Sequence, residues 1–257
     1  MSDSQLQGAL ATKEAVPAAI VPSVGMGSTP RRSDDVHVSL PLDAWNLTKV
    51  WGRKPGVRVI DDLELTLEPG TLTWIGGSNG VGKTTLLRVL AGLIGPTEGH
   101  VHVFGLHPER DRRAYQQRLS FLSATGTGLY ARLSVRRQLD YTARIAFVPR
   151  ERRPAAVEES IGRFSLMELA EHRVDRLSMG QRQRMRLAMT FIKEPDLVLL
   201  DEPRNSLDGE GAAMLVAAVR EVVGRGGAVV WCSPLGESLG LRFDHQMVLE
   251  QGKLKSL

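Results

Sequence analysis

An α/β fold with a largely parallel sheet is predicted by two observations. Strand-like and helix-like segments alternate along most of the chain, and two buried-looking strands each end in a polar motif. The first strand, TLTWIG, runs into the glycine-rich GSNGVGKTT. The second, DLVLL, runs into DEP.

The elements follow in order. Residues 1–36 mix Ser, Pro, Gly and Ala without a lasting period and predict a disordered N-terminal tail. From His37 the pattern changes. LELTLEPG places Leu63, Leu65 and Leu67 on one face, a strand closed by a Pro-Gly turn. TTLLRVLAGLIG has helical spacing and stops at a glycine. HVHVFG alternates again, with Val101 and Val103 on one side. SVRRQLDYTARIAFV and AAVEESIGRFSLMELA are charged and amphipathic, as a mainly helical insert is. The helix of LSMGQRQRMRLAMTFIKE, the strand DLVLL, the helix GEGAAMLVAAVREVV, the strand GAVVWC and the hairpin QMVLEQGKLKSL complete the order. There is no internal repeat.

Composition narrows the function. The 257 residues, 42% of them hydrophobic, are enough for one large domain or two small ones. The net charge of +4 comes from arginines scattered among acidic residues, so nucleic-acid binding is not expected. Cys232 is the sole cysteine, which excludes an internal disulfide and a cysteine-built metal site. No apolar stretch is long enough to span a bilayer, and the N-terminal residues lack the flanks of a signal peptide. A cytoplasmic protein is expected, held at a membrane only by another subunit.

Gly77–Thr85 fits G-x-x-x-x-G-K-[ST], between a predicted strand and a predicted helix. Gly77, Gly80 and Gly82 allow unusual dihedrals. Ser78, Asn79, Val81 and Thr85 complete the cradle, whose backbone N–H groups attract a phosphate. Lys83 reaches the β- and γ-phosphates, and Thr84 offers a hydroxyl to Mg²⁺. DLVLLDEP delivers Asp201 to the same ion and Glu202 to an attacking water. Alone, that carboxylate pair would read as a solvated strand end.

Between these motifs stands LSMGQRQR, from Leu177 to Arg184, and after them RNSLD, ending at Asp208. In this order and spacing the chain resembles an ATP-binding-cassette (ABC) ATPase, the motor subunit of ABC transporters, whose signature reads LSGGQ. The likeness covers about residues 38–257. It implies a P-loop NTPase cassette at 37–257, with a RecA-like core, an antiparallel β subdomain and a helical insert at about 125–190. It also implies Mg-ATP held head-to-tail between two cassettes, with Ser178, Gly180 and Gln181 serving the partner's nucleotide and Asp208 in the contacting D-loop. Trp51 matches the aromatic on which the family stacks adenine; as a lone tryptophan it reads equally as core. The implied partners are an integral membrane transporter subunit and a second cassette, homomeric or heteromeric, on the inner face of the cell membrane. The short remainder after the last hairpin favours export.

The chain departs from the family at three positions. Met179 replaces the first signature glycine. Pro234 stands where the family carries a histidine that contacts the γ-phosphate, and His245 is no substitute by position. The family's glutamine at the mouth of the insert falls on Ala124 or Ser123, neither with an amide. Slow hydrolysis is therefore expected. The rival readings are a soluble ABC ATPase and a nucleotide-dependent scaffold that does not hydrolyse.

Overall fold

A computed structural model describes residues 39–53, 55–125, 128–234 and 239–257. The tail expected for residues 1–36 lies outside them. Strands β1 (Leu42–Trp51), β2 (Val57–Leu67) and β3 (Leu72–Gly76) lead to helix α1 (Lys83–Leu90). Strand β4 (Glu98–His102), helix α2 (Arg112–Arg118) and strand β5 (Leu119–Leu122) follow. Helices α3 (Val135–Ile145), α4 (Arg153–Arg163) and α5 (Met179–Phe191) come next. Strand β6 (Leu197–Asp201), helix α6 (Gly209–Gly224) and strands β7 (Ala228–Cys232), β8 (His245–Glu250) and β9 (Lys253–Ser256) close the chain.

The strands form two sheets. One is antiparallel, in the order β2-β1-β4. The other runs β5-β6-β7-β3-β8-β9 and is parallel except for β9. Strands β3, β6 and β7 are buried along their whole length, which is why they read as unbroken apolar runs. Their side chains still alternate between two cores. Val198, Leu200, Val229 and Trp231 face the cluster built by α3, α4, α5 and α6. Leu197, Leu199, Val230 and Cys232 face the cluster of α1, Tyr115 and the antiparallel sheet. The larger sheet is the largely parallel one that the sequence pattern predicts, and the smaller is the antiparallel subdomain that the family resemblance implies.

Two local features differ from the sequence pattern. The amphipathic period runs on to about residue 170, but α4 stops at Arg163. Phe164 turns fully inward, Ser165 takes φ +48°, and the Leu166 N–H closes onto the Ile161 carbonyl at 2.9 Å, a left-handed helix stop. Strand β1 has a bulge at Asn46, φ +50°, which breaks its alternation between Ala44 and Leu47. Among the described residues no helix is long and apolar enough to cross a membrane.

Candidate nucleotide site

The central strand β3 delivers the glycine-rich loop at the C-terminal edge of the parallel sheet. The backbone has φ +144° at Gly77, +79° at Gly80 and +117° at Gly82. Gly82 is the N-cap of α1 and makes no side-chain cap, so the first N–H groups of that helix are not closed off by a side chain. A Cβ at Gly82 would lie 2.6 Å from Val59 Cγ1. Gly82→Ala is therefore expected to cost about 2 kcal/mol, because it adds both strain at a positive φ and a clash. Thermal unfolding checks this, and a melting temperature equal to the native one would refute it.

Lys83 is buried. Its Nζ donates to the carbonyls of Gly77 at 2.7 Å and Ser78 at 3.0 Å, so the ammonium is folded onto its own loop. Ser78, Asn79 and Gly80 are exposed, while Val81, Thr84 and Thr85 are half-buried. Strand β7 separates β3 from β6, which puts Asp201 two strands, or about 10 Å, from the loop's own strand. The first turn of α1 spans that gap: Thr84 Oγ1 donates to Asp201 Oδ2 at 2.8 Å. The Ala124 N–H donates to the same oxygen at 3.4 Å. Asp201 is only 1% exposed, and among the described residues no cation pairs with it. A buried carboxylate held by two neutral donors suits a divalent cation. Asp201 and Thr84 thus fit Mg²⁺.

Glu202 follows on a strained turn, φ +47°. Its N–H donates to the Cys232 carbonyl at 2.8 Å, and its Oε2 accepts from Asn205 Nδ2 at 2.8 Å. The Cys232 thiol is buried, and burial together with the Asp201 charge pushes its pKa well above the ordinary thiol range. It is inert core.

The other sequence candidates lie elsewhere. Ser178 and Gln181 form a reciprocal capping box at the start of α5: Gln181 N–H donates to Ser178 Oγ at 3.2 Å, and Ser178 N–H donates to Gln181 Oε1 at 2.9 Å. A Cβ on Gly180 would lie 3.4 Å from the Ser206 carbonyl, and Met179 is 73% exposed. Met179, Asn205 and Ser206 line a cavity of about 470 Å³ that includes no residue of the phosphate loop. Asp208 caps α6, accepting from the Gly211 N–H at 2.7 Å. Trp51 is half-exposed, with Lys49 Nζ 4.8 Å from its ring centroid.

Pro234 is exposed just beyond β7. Cys232 is level with Ile75 on β3 and with Asp201 on β6. Ile75 leads within two residues into the phosphate loop, and Asp201 leads directly into the Glu202–Pro203 turn. Ser233, which precedes Pro234, is fully buried, and its Oγ accepts from Trp74 Nε1 at 2.9 Å.

Comparison with known proteins settles the family. The sequence model described as "ABC transporter" matches residues 60–205, more than half of the chain. The chain belongs to the ABC transporter family. It is an ATP-binding subunit and an ATPase, and such ABC subunits dimerise and work with membrane transporter subunits. The ABC transporter ATP-binding protein NatA of Bacillus subtilis (strain 168) is 29% identical over 79% of this chain and 82% of its own length. The daunorubicin resistance ATP-binding protein DrrA3 of Streptomyces coeruleorubidus is 32% identical over 77% of this chain and 62% of its own. The Fe(3+) ions import ATP-binding protein FbpC 1 of Haemophilus influenzae (strain ATCC 51907 / DSM 11121 / KW20 / Rd) is 31% identical over 69% and 52%. Among solved structures, the ATP-binding subunit of an ABC transporter superposes with a TM-score of 0.76 at 20% identity, covering 83% of this chain and 88% of the other. A dimeric post-hydrolysis state of the ATP-binding cassette MJ0796 bound to ADP and Pi gives 0.75 at 20%, covering 84% and 97%. At that identity the likeness is one of fold.

Sequence reasoning did not single out three groups: Asn205 on Glu202, the Trp74–Ser233 pair, and an arginine on α5. Asn205 lies inside the quoted RNSLD and carried a signal. The others depend on contacts between residues far apart in the chain and carried none.

Proposed function

We propose that the chain binds Mg-ATP between its own phosphate loop and the signature helix of a second cassette, and that it hydrolyses the nucleotide slowly. It thereby drives a separate membrane subunit, from the inner face of the cell membrane, in the direction of export. The observation that carries this reading is the buried Asp201, bonded to Thr84 at the mouth of the phosphate loop.

The chain's own residues act as follows. The loop N–H groups and Lys83 grip the phosphates, with Lys83 exchanging its two carbonyl acceptors for phosphate oxygens. Thr84 and Asp201 would hold Mg²⁺, which would supply positive charge against the negative charge of the phosphates. Glu202, steadied by the Asn205 amide, orients the attacking water. The start of α5 is a second anion-binding helix end for the partner's nucleotide: the Ser178 hydroxyl and the half-buried Gly180 backbone face it once the capping box between Ser178 and Gln181 exchanges its internal bonds for phosphate oxygens. Phosphoryl transfer depends mostly on positioning and charge stabilisation, so the lack of an imidazole at Pro234 and of an amide at Ser123 and Ala124 slows the reaction. For export, the support is that relatives such as DrrA3 align over more of this chain than the iron importers do.

The test measures phosphate release and nucleotide-dependent dimerisation of the native chain and Glu202→Gln. Turnover is expected to fall about tenfold or more in the variant, while ATP-bound dimers accumulate. Dimers that form with ATP in the native chain without any phosphate release would favour the scaffold reading, which the proline at 234 also supports. Co-purification with an integral membrane protein checks transport; recovery only in water-soluble complexes would favour a soluble ABC ATPase.

A further inference from the structure

Two turns into α5 stands Arg186. Its Nη2 donates to the backbone carbonyls of Ser123 and of Thr125, the latter at 3.1 Å. Its Nη1 donates to Gln183 Oε1 at 2.6 Å. Gln183, one turn earlier and buried, donates from Nε2 to the Pro203 carbonyl at 3.1 Å. The two clasped carbonyls flank Ala124, whose N–H reaches Asp201. Pro203 follows Glu202. One guanidinium and one amide on a single helix therefore hold the backbone beside both carboxylates of the site.

This arginine is not an ordinary structural one. Among the described residues it makes no ion pair, and its acceptors are all neutral oxygens. Arg186 is half-buried, and partly desolvating a charge without a counter-ion is costly unless neutral acceptors offset it. The planar fork of arginine meets three acceptors at once, which the single ammonium of lysine does with less precision. Arg186 is also the one described residue that lines both the cavity beside Met179 and a second cavity, of about 460 Å³, under α3 and β5.

We propose that Arg186, acting with Gln183, is a positioning residue for ATP hydrolysis. It fixes the 123–125 backbone, beside the bonds that the Ser123 hydroxyl makes to Thr125, and ties that backbone and the Glu202–Pro203 turn to the signature helix. Displacing α5 then shifts both carboxylates together. The inference rests on the function proposed above.

The experiment uses the full chain and compares native, Arg186→Lys and Arg186→Met. It reads ATP affinity by calorimetry, single-turnover phosphate release, the Mg²⁺ concentration for half-maximal turnover, and the melting temperature. Arg186→Met is expected to bind ATP within about twofold of native, to turn over about tenfold more slowly, and to need more Mg²⁺; a misplacement of about 1 Å suffices for such a loss. Arg186→Lys recovers part of the rate, since an ammonium can still donate to the two carbonyls. A lower melting temperature with unchanged turnover and Mg²⁺ dependence would show a merely structural role and overturn the proposal. If Arg186→Met does not fold, Arg186→Lys decides: a native Mg²⁺ dependence and rate in that variant also overturn it. A native chain that binds no ATP sinks the parent reading and this one with it, whereas a native chain with full turnover matched by Arg186→Met sinks this one alone.

Discussion

Lys83→Ala is expected to lose ATP affinity and turnover by about 10²–10³-fold, the loss typical of a charged or oriented donor removed from a desolvated oxyanion site. The structure explains why no other residue can compensate. Among the described residues Lys83 is the only lysine or arginine in the glycine-rich loop, and it is already buried against the Gly77 and Ser78 carbonyls. Its ammonium therefore pays little further desolvation when phosphate oxygens replace those carbonyls. The remaining donors are backbone N–H groups, each neutral and individually weaker. Calorimetric titration with ATP, beside a melting curve without nucleotide, separates the two effects of the mutation. Losing the carbonyl contacts lowers the melting temperature; losing the phosphate contact lowers affinity. An alanine variant that binds ATP within about threefold of the native chain would overturn the assignment of this loop as the phosphate cradle.

What was legible in the sequence follows from how local each signal is. Strands β3, β6 and β7 are buried on both faces, so their apolar runs stand out without any partner in view. The phosphate loop and the DEP turn occupy consecutive residues whose types are set by backbone dihedrals and by the charge of the ligand, and both appear as motifs. Strand β1 was obscured because the bulge at Asn46 shifts its buried positions from Leu42 and Ala44 to Leu47. The stop of α4 at Ser165 was hidden because a serine there gives no glycine signal. The Arg186 clasp joins positions more than 60 residues apart through backbone carbonyls, which every residue possesses. No residue type at 123 or 125 announces it. The same limit applies to Trp74 and Ser233, whose bond links β3 to the end of β7.

That bond bears on the second large effect. Pro234→His is expected to raise turnover by about 10–100-fold, with ATP affinity little changed, because an added hydrogen-bonding group at the reacting centre acts mainly in the transition state. Cys232, two residues before position 234, is level with Ile75, which leads into the phosphate loop, and with Asp201, which leads into the Glu202 turn. Proline at 234 has neither an N–H nor a polar side chain to offer. Ser233 cannot take over, since its buried hydroxyl already accepts from the Trp74 indole and is directed into the sheet. Pro234→Ala separates the two consequences of removing proline. It relaxes the backbone and restores an N–H without adding an imidazole, and its turnover is expected to stay near the native value. Single-turnover phosphate release measured for all three chains gives the comparison. Equal rates in the histidine, alanine and native forms would mean that the site completes its chemistry without a group at this position. A native rate already in the ordinary range of such enzymes, about 1–10³ s⁻¹, would remove the reason to regard the proline as a deficit at all.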